Sequence, residues 1–198
     1  TEHPFYVGRG GNMGDRPGNF AVQNADLILA VGNRLPIRVV GYNWKTWARE
    51  AEVIMVDVDE AELKKHTLHV EMPIHADAKD FFEQMNTRLN GIEQPLFQGR
   101  EWVTACRKWK EKYPVVLPRH WQEDGLHANA YAFVDYLSTQ LPPRTLTVVS
   151  NGTCCVAGHQ AYVIKEGTRF FNSNAVASMG YGLPAAIGGC VANKRRTT

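Results

Sequence analysis

The sequence predicts an α/β protein built from two incomplete units, each with a parallel sheet covered by helices. First, short apolar runs closed by glycine or a carboxylate alternate with stretches of helical periodicity, which is typical of parallel sheets. Second, residues 91–100 contain a proline and two glycines and show little periodicity, as linkers do. Third, 198 residues make one large domain or two small ones. We therefore predict a domain over residues 1–90, a linker over 91–100 and a second domain over 101–198.

The first domain is predicted to hold two buried strands and two helices. Residues 26–32 are nearly all apolar and end in glycine, so we expect a strand buried on both faces. Residues 52–59 repeat this pattern and end in carboxylates. Residues 42–51 predict a short helix between the two strands. Residues 78–89 predict a longer helix, because apolar side chains recur there at helical spacing and Asp77 can cap its N-terminus.

The second domain is predicted to alternate helices and strands in the same way. The helix over residues 128–141 is expected to turn Tyr131, Val134, Leu137 and Leu141 inward. In order, the predicted elements are helices over 101–113 and 128–141, a strand over 146–149, a short helix from about 154, a strand over 168–171 and a helix from Pro184, where proline fits the first turn.

The composition argues against several classes of partner. Lys and Arg number 22 against 20 Asp and Glu, so the net charge is only +2 and no clustered basic face points to nucleic acid. No apolar run approaches the roughly 20 residues needed to cross a bilayer. The N-terminus carries no charged and then apolar leader. We expect neither nucleic acid nor a membrane as a partner.

Two further features concern the setting of the chain. The four cysteines form no C-x-x-C pair and no metal-ligand spacing, which is typical of free thiols in a reducing compartment. We therefore expect a cytoplasmic protein. The sequence starts at Thr1 rather than at a methionine and ends in two β-branched residues that suit the opening of a strand. We expect it to be a piece of a longer polypeptide.

Ligands of open parallel sheets bind at the carboxyl ends of strands, where helix N-termini and free backbone amides meet. Three loops meet this condition. The first, residues 8–14, nearly matches G-x-G-x-x-G, in which glycines let the backbone approach a phosphate and Arg9 or Arg16 could add charge. The alternative is a turn-rich loop that leads into a helix at residues 19–24.

The second loop, residues 32–38, directly follows a predicted strand. Arg34 and Arg38 are four positions apart, so on a helical turn they would share one face and could both reach a phosphate. Asp57 and Asp59 end the next strand, where a carboxylate commonly accepts hydrogen bonds from a ribose or polyol. The alternative is that the arginines pair with Asp or Glu.

The third candidate site combines residues 151–153, after a predicted strand, with residues 177–189. Small residues in the latter segment would pack a helix tightly on a sheet. Met179 would project beside glycines that let the backbone approach a ligand. The alternative is a small-residue packing helix that binds nothing.

Residues 177–189, ASMGYGLPAAIGG, resemble the segment that precedes the diphosphate-binding motif of thiamine-diphosphate enzymes, particularly the acetolactate synthase (acetohydroxyacid synthase) group. Residues 19–34 fit that group's central-domain pattern N-x-A-x-x-x-A-D-L-I-L-A-V-G-x-R, and residues 54–63 fit I-x-x-D-x-D-x-x-E-L. The similarity runs from about Tyr6 to Thr198. It implies a Rossmann-like central domain followed by the start of a thiamine-diphosphate-binding domain.

The resemblance implies roles for five residues toward thiamine diphosphate. Met179 matches the large apolar residue that supports the bent cofactor, so that its aminopyrimidine lies against the thiazolium carbon. Ala177 matches a backbone carbonyl position that receives the aminopyrimidine. Asn151, Gly152 and Thr153 match the turn that meets the diphosphate.

The resemblance also implies an FAD site in the first domain, because some members of the family contain a flavin. Arg34 and Arg38 match arginines that face FAD. Asp57, Val58 and Asp77 match contacts to its ribityl and adenosine end.

The activity implied by the resemblance is that of a thiamine-diphosphate-dependent carboligase/decarboxylase, a transferase or lyase. The substrate would be a 2-oxo acid such as pyruvate, the metal would be magnesium, and the whole protein would be a homo-oligomer. Residues 152–157 read GTCCVA where the family commonly has G-Q-H-Q-M-W. The alternatives are an FAD- or ADP-binding module and a non-catalytic relative.

The 198 residues on their own are expected to be inactive. In the family, a G-D-G motif with a downstream Asn supplies the magnesium ligands, and a separate N-terminal domain supplies the Glu that activates the cofactor. Neither occurs within this sequence. We therefore expect no catalytic residue and no metal ligand among residues 1–198, and weak cofactor binding.

Overall fold

The computed structural model describes residues 3–92, 99–122 and 127–194. Backbone contacts divide the chain into two compact units, Val7–Tyr113 and Pro114–Thr198 together with Thr1–Tyr6. We call them the first and the second unit. Both contain parallel strands flanked by helices, so the predicted α/β class is confirmed. None of the helices in the described ranges is long and apolar enough to span a bilayer.

The first unit contains three parallel strands in the order β1-β2-β3. In the register of the sheet, Leu29 of β1 lies opposite Ile54 of β2, and Val56 of β2 lies opposite Ile74 of β3. A 3-10 turn, Trp44–Thr46, precedes β2. The elements are α1 (Arg16–Gln23), β1 (Leu27–Val31), α2 (Ile37–Val40), β2 (Glu52–Asp57), α3 (Glu60–Leu63), β3 (Met72–His75), α4 (Ala78–Leu89) and α5 (Arg100–Lys112).

The core of the first unit is centred on β2. Met55 and Val56 are completely buried in this middle strand. Its neighbour β1 forms an edge of the described sheet, and Leu27 and Leu29 on one of its faces are 53% and 42% exposed. The prediction that residues 26–32 are buried on both faces is therefore wrong for β1, because burial depends on the neighbours of a strand as well as on its own composition.

Asp77 caps α4 as predicted, and this helix has the predicted bounds. The Asp77 carboxylate accepts a hydrogen bond from the backbone N–H of Lys79 at 2.7 Å. The prediction of a helix over residues 42–51 is wrong, since only the 3-10 turn forms there. Ala48 adopts a φ of +43°, which ends any helical run, and donates its N–H to Oε1 of Gln23 at 3.3 Å.

Helix α5 forms where a helix was predicted, but it packs within the first unit. The ring of Trp109 lies 5.8 Å from that of Phe20 on α1, and Cys106 is buried. The first unit therefore extends to Tyr113, whereas the domain was predicted to end at residue 90. The division into domains stays a prediction, and residues 93–98 of the predicted linker lie outside the described residues.

The second unit is a two-stranded parallel sheet with helices around it. A 3-10 turn, Pro118–Trp121, comes first. The elements are then α6 (Ala130–Gln140), β4 (Leu146–Val148), α7 (Thr153–Ala161), β5 (Arg169–Phe171) and α8 (Gly182–Ala192). Strand β4 pairs with β5, with Thr147 opposite Phe170.

The packed face of α6 differs from the prediction. Ala132 and Ser138 are its buried residues, whereas Leu137 is exposed. Ser138 is buried because its hydroxyl donates to the carbonyl of Asp135 at 2.9 Å and accepts the N–H of Val163 at 3.0 Å. The predicted inward residues Tyr131, Val134 and Leu141 are half-buried around this face.

Candidate cofactor sites

The glycine-rich loop of residues 8–14 is held together by its own hydrogen bonds. Asp15 accepts the backbone N–H groups of Arg9 at 3.0 Å and Gly18 at 2.8 Å. Asn19 Oδ1 accepts the N–H of Gly11 at 2.8 Å. Gly11 has a φ of +107°, and a Cβ there would lie 2.4 Å from the Arg38 carbonyl oxygen. The structure therefore favours the alternative of a turn-rich loop, which leads into a helix that starts at Arg16.

Arg34 is engaged by an acidic side chain. Its Nη1 lies 3.1 Å from Oε1 of Glu62, whose Oε2 lies 3.2 Å from Nζ of Lys65. Partial burial acts to raise the pKa of Glu62, but the hydrogen bonds and positive charges of Lys65 and Arg34 together outweigh it, so the pKa is lowered. The prediction that Arg34 and Arg38 share a helical face is wrong, because α2 begins at Ile37 and Arg34 lies before it. For Arg34, the alternative of an ion pair holds.

Asp57, Val58 and Asp77 come together at the carboxyl edge of the first sheet. The N–H of Ala76 donates to the carbonyl of Asp57 at 3.2 Å, and Nε2 of His75 lies 2.9 Å from the carbonyl oxygen of Val58. One carboxylate oxygen of each aspartate accepts a hydrogen bond from a nearby backbone N–H. Asp57 accepts that of Asp59, and Asp77 accepts that of Lys79. This edge thus carries carboxylates and an exposed Val58.

Sequence reasoning missed three residues at this edge, His75, Glu62 and Lys65. Strand β3 is four residues long and contains Pro73, so it leaves no periodic signal before His75. Asp59 caps α3 by accepting the N–H of Ala61 at 2.9 Å, so its carboxylate is already engaged by that helix. A short-range capping signal at Asp59 could have located α3 and with it Glu62.

In the second unit, one hydrogen bond joins the two segments of the third candidate site. The side-chain Nδ2 of Asn151, just after β4, donates to the carbonyl oxygen of Ala177 at 2.9 Å. The start of α8 also meets this turn, since a Cβ on Gly182 would lie 3.1 Å from Cβ and 3.2 Å from the backbone nitrogen of Ser150. The structure therefore brings residues 151–153 and the Met179 segment together, as the sequence predicted.

Met179 projects away from the core. Its side chain is 88% exposed. The next residue, Gly180, has a φ of +81° with open space where a side chain would be, and Ala177 also lies in the left-handed region. A ligand could therefore approach the backbone on either side of Met179.

Helix α8 presents small residues inward and large ones outward. Gly182, Ala185, Ala186 and Gly189 are half-buried, and Gly182 contacts the β4 turn. The exposed large residues at four-residue spacing are Leu183, Ile187 and Val191. The alternative of a small-residue packing helix is thus correct for the inner face of α8 and compatible with an open Met179.

Helix α7 begins beside Asn151 and has no side-chain cap. Gly152 at its N-cap has a φ of +76°, and Thr153 and Cys154 supply its first amides. The exposed Cys154 thiol donates to the carbonyl oxygens of Asn151 at 3.0 Å and Ser150 at 3.3 Å. An uncapped helix N-terminus is where an anionic group gains most from backbone N–H donors and the helix dipole. Cys154 was not among the predicted site residues.

Two family models match the chain. "Thiamine pyrophosphate enzyme, central domain" matches residues 1–85, and "Thiamine pyrophosphate enzyme, C-terminal TPP binding domain" matches residues 150–198. The first match contains the carboxyl edge of the first sheet, and the second contains Asn151 and Met179. Together they cover more than half of the chain.

The curated proteins to which this chain is similar include acetolactate synthases. The acetolactate synthase isozyme 2 large subunit of Escherichia coli K12 is 32% identical over 100% of this chain and 33% of its own length. The acetolactate synthase large subunit of Cyanidium caldarium is 30% identical over 96% of this chain and 32% of its own length. A probable chloroplastic acetolactate synthase 2 of Oryza sativa subsp. japonica is 31% identical over 100% and 29%. The chain spans about one third of the length of the curated relatives it matches.

These matches confirm the resemblance drawn from residues 19–34, 54–63 and 177–189. Two domains of one enzyme family occur in order along the chain, and the geometry of the second unit leaves Met179 open at the turn after β4. The chain belongs to the thiamine pyrophosphate enzyme family.

Proposed function

We propose that this chain is part of a thiamine-diphosphate-dependent carboligase/decarboxylase of the acetolactate synthase type. Its substrate would be a 2-oxo acid such as pyruvate, and it would be classed as a transferase or lyase. The observation that carries the proposal is the hydrogen bond from Asn151 to Ala177, which holds the turn after β4 against a loop with an 88% exposed Met179. The alternative of an FAD- or ADP-binding module or a non-catalytic relative draws no support from the family matches.

Five residues are proposed to hold thiamine diphosphate. The backbone amides at Gly152 and Thr153, at the uncapped start of α7, suit the diphosphate. The Ala177 carbonyl accepts one bond from Asn151 and has a second lone pair for the aminopyrimidine. Met179 would support the bend between the two rings. When bound, thiamine diphosphate supplies the electron sink that allows a 2-oxo acid to lose carbon dioxide.

The residues of this chain would contribute conformation and positioning rather than acid or base groups. The hydrogen bond from Asn151 fixes the position of the Ala177 carbonyl relative to the turn after β4. Gly182 lets α8 approach Ser150 closely. Positioning of this kind can supply much of a rate enhancement, and a displacement of 1 Å can cost about 100-fold. We propose no catalytic residue within residues 1–198.

Magnesium does not fit the residues that the structure describes. Among residues 3–92, 99–122 and 127–194, no group of three or more His, Cys, Asp or Glu side chains could hold a metal ion. A diphosphate held only by backbone amides keeps most of its charge unneutralised. We therefore derive no step through a metal bound by these residues.

We also propose an FAD site at the carboxyl edge of the first sheet, with fewer contacting residues than the resemblance implies. Asp57, Val58 and Asp77 are adjacent there and fit a polyol or ribose. Arg34 fits less well, since Glu62 already pairs with it. Arg38 stays a candidate phosphate contact on α2, separate from Arg34.

Two properties of the whole protein are also proposed. A cytoplasmic location is supported by free cysteines at all four positions. Self-association is supported by the exposed apolar residues along α8, Leu183, Ile187 and Val191, because contiguous apolar surface of this kind often marks a protein interface. Light scattering of the purified protein would measure its mass in solution.

The experiment that tests the proposal is an assay of carbon dioxide release by the protein that carries these residues. It would use a panel of 2-oxo acids, with and without thiamine diphosphate, magnesium and FAD. The Met179→Ala variant should lower cofactor-dependent turnover by about 10- to 100-fold, because an unsupported bend lets the two rings separate. Val176→Ala removes a similarly exposed apolar side chain from the same segment and is the matched control. Equal turnover in both variants would refute the role of Met179.

A further inference from the structure

A cavity of about 520 Å³ lies at the amino edge of the first sheet. It opens between the segment that leads into β2 and the segment that leads into β3. The loops at the carboxyl edge, with Asp57 and Asp77, are at the other end of the same strands. Its volume is within the range of pockets that bind small molecules.

The floor of this cavity is apolar and belongs to the core of the first unit. Trp47, Ala48 and Val53 line it and belong to the buried core of the first unit. The N–H of Glu71 donates to the carbonyl of Val53 at 2.9 Å and ties the two flanking segments together. A ligand in the cavity would therefore meet a preformed surface.

The rim of the cavity carries a tryptophan and basic side chains. Trp44, on the 3-10 turn, is 38% exposed although it is a large aromatic residue. Every ionisable side chain that lines the cavity is basic, and these side chains are Lys45, Arg49, His66 and His69. An indole offers a flat apolar surface against which a ring can pack, and basic groups attract negative charge, so this rim suits a flat, negatively charged molecule.

Among the residues that the structure describes, two of these basic groups have an acidic partner within 4.0 Å and two do not. Nε of Arg49 lies 4.0 Å from Oε1 of Glu50, and Nε2 of His69 lies 3.0 Å from Oε2 of Glu71. Within the described part of the chain, Lys45 makes no ion pair. Lys45 adjoins Trp44 on the same turn, so its charge is available to an anion that stacks on that indole.

We propose that this cavity is a further ligand site, for a small planar aromatic anion such as an aryl carboxylate. The ring would lie between Trp44 and the floor formed by Trp47 and Val53. The carboxylate would face Lys45. The site is independent of thiamine diphosphate and FAD, since it shares no residue with either candidate cofactor site.

Calorimetric titration of the purified chain with 2-naphthoate tests the proposal. We expect saturable binding of one molecule per chain, weakened about fivefold or more in Trp44→Ala through the lost aromatic contact. Lys45→Gln should weaken it about threefold at low salt, and a neutral naphthalene alcohol should bind more weakly than the acid.

Matched controls distinguish binding at this site from nonspecific binding of 2-naphthoate. Trp121→Ala removes an exposed indole from the second unit, and Lys108→Gln removes an exposed cation from α5. Both should bind 2-naphthoate as the parent chain does, and thermal melting of all four variants checks that they fold. The proposal is overturned by the absence of saturable binding, by equal affinity in Trp44→Ala and Trp121→Ala, or by equal affinity for the acid and the alcohol.

Discussion

The side-chain amide of Asn151 donates a hydrogen bond to the carbonyl oxygen of Ala177 at 2.9 Å, across 26 positions of sequence. This bond connects the turn after β4 with the loop that carries Met179. Ala177 lies in the left-handed region of backbone conformation, so the bond also offsets a local strain. It is the contact through which the second unit acquires a candidate cofactor site.

Replacing Asn151 by alanine should loosen the Met179 loop without unfolding the protein. We expect the free energy of unfolding to fall by about 1 kcal/mol, the typical net value of one hydrogen bond. Cofactor-dependent turnover should fall by more than this loss of stability explains, because the Ala177 carbonyl loses its fixed position. Urea unfolding and the carbon dioxide assay give the two quantities. Asn174→Ala, in the same loop, is the control, and an equal effect of both variants would contradict the prediction.

Two glycines of α8 should respond in opposite directions to replacement by alanine. A Cβ at Gly182 would approach the Cβ and backbone of Ser150 to 3.1–3.4 Å, so Gly182→Ala should destabilise the protein by about 1 kcal/mol. A Cβ at Gly188 would meet open space, so Gly188→Ala should stabilise it by roughly 0.5–1 kcal/mol through helix propensity. Urea unfolding of both variants measures the difference. Stabilisation by both substitutions would show that α8 does not pack tightly against Ser150.

Local signals predicted the elements that depend on local interactions. Asp77 and the helix Ala78–Leu89 were predictable because an N-cap and helical periodicity act within a few residues. The third candidate site was predictable as a pair of segments, since both follow the strand-then-turn pattern. Spacing alone left two interpretations of this site open, and the Asn151–Ala177 contact and the exposure of Met179 support ligand binding, which stays a prediction.

Two predictions that depended on distant neighbours were wrong. The exposure of Leu27 follows from the place of β1 in the sheet order, which its own apolar composition does not contain. The helix at 42–51 was displaced by the left-handed conformation of Ala48, which is stabilised by Gln23 from another element. Arg34 pairs with Glu62, 28 positions away, and its contact with a ligand stays a prediction.

The ion pairs of Glu62 should make stability depend on acidity. Burial acts to raise the pKa of Glu62 in the folded chain, but the hydrogen bonds and charges of Lys65 and Arg34 together outweigh it, so this pKa is lowered. A carboxyl group whose pKa is lowered by folding stabilises the native state above its unfolded pKa of about 4.3. That contribution is lost as the pH falls through the lower folded pKa.

Glu62→Gln should therefore differ most from the parent protein near neutral pH. The difference in free energy of unfolding should shrink as the pH falls below the unfolded pKa of about 4.3, and it should vanish below the lower folded pKa, where the folded parent also carries a neutral side chain. Unfolding by urea at several pH values measures it. Glu83→Gln, which removes an exposed partner 3.8 Å from Lys79, should change stability by less than about 0.5 kcal/mol. A difference for Glu62→Gln that is constant with pH would contradict this assignment.

The four cysteines should react with thiol reagents at distinct rates. Cys154 is exposed at the start of α7, whereas Cys106 is buried in α5, and burial raises the pKa of its thiol. Labelling of the native protein with an aromatic disulfide reagent should show a fast phase that Cys154→Ser removes and Cys106→Ser leaves unchanged. Cys106 should react only after unfolding in urea. Fast labelling that persists in Cys154→Ser would place the reactive thiol elsewhere.

A polypeptide of residues 1–198 should bind thiamine diphosphate weakly even when magnesium is present. The described residues offer backbone amides at Gly152 and Thr153 but no group of acidic or imidazole side chains for the metal. Isothermal titration calorimetry with magnesium should therefore give a dissociation constant well above the micromolar range, nearly unchanged when magnesium is replaced by EDTA. A micromolar constant that requires magnesium would mean that residues of this chain complete a metal site. In that case, the proposal that residues 1–198 contain no metal ligand would have to be withdrawn.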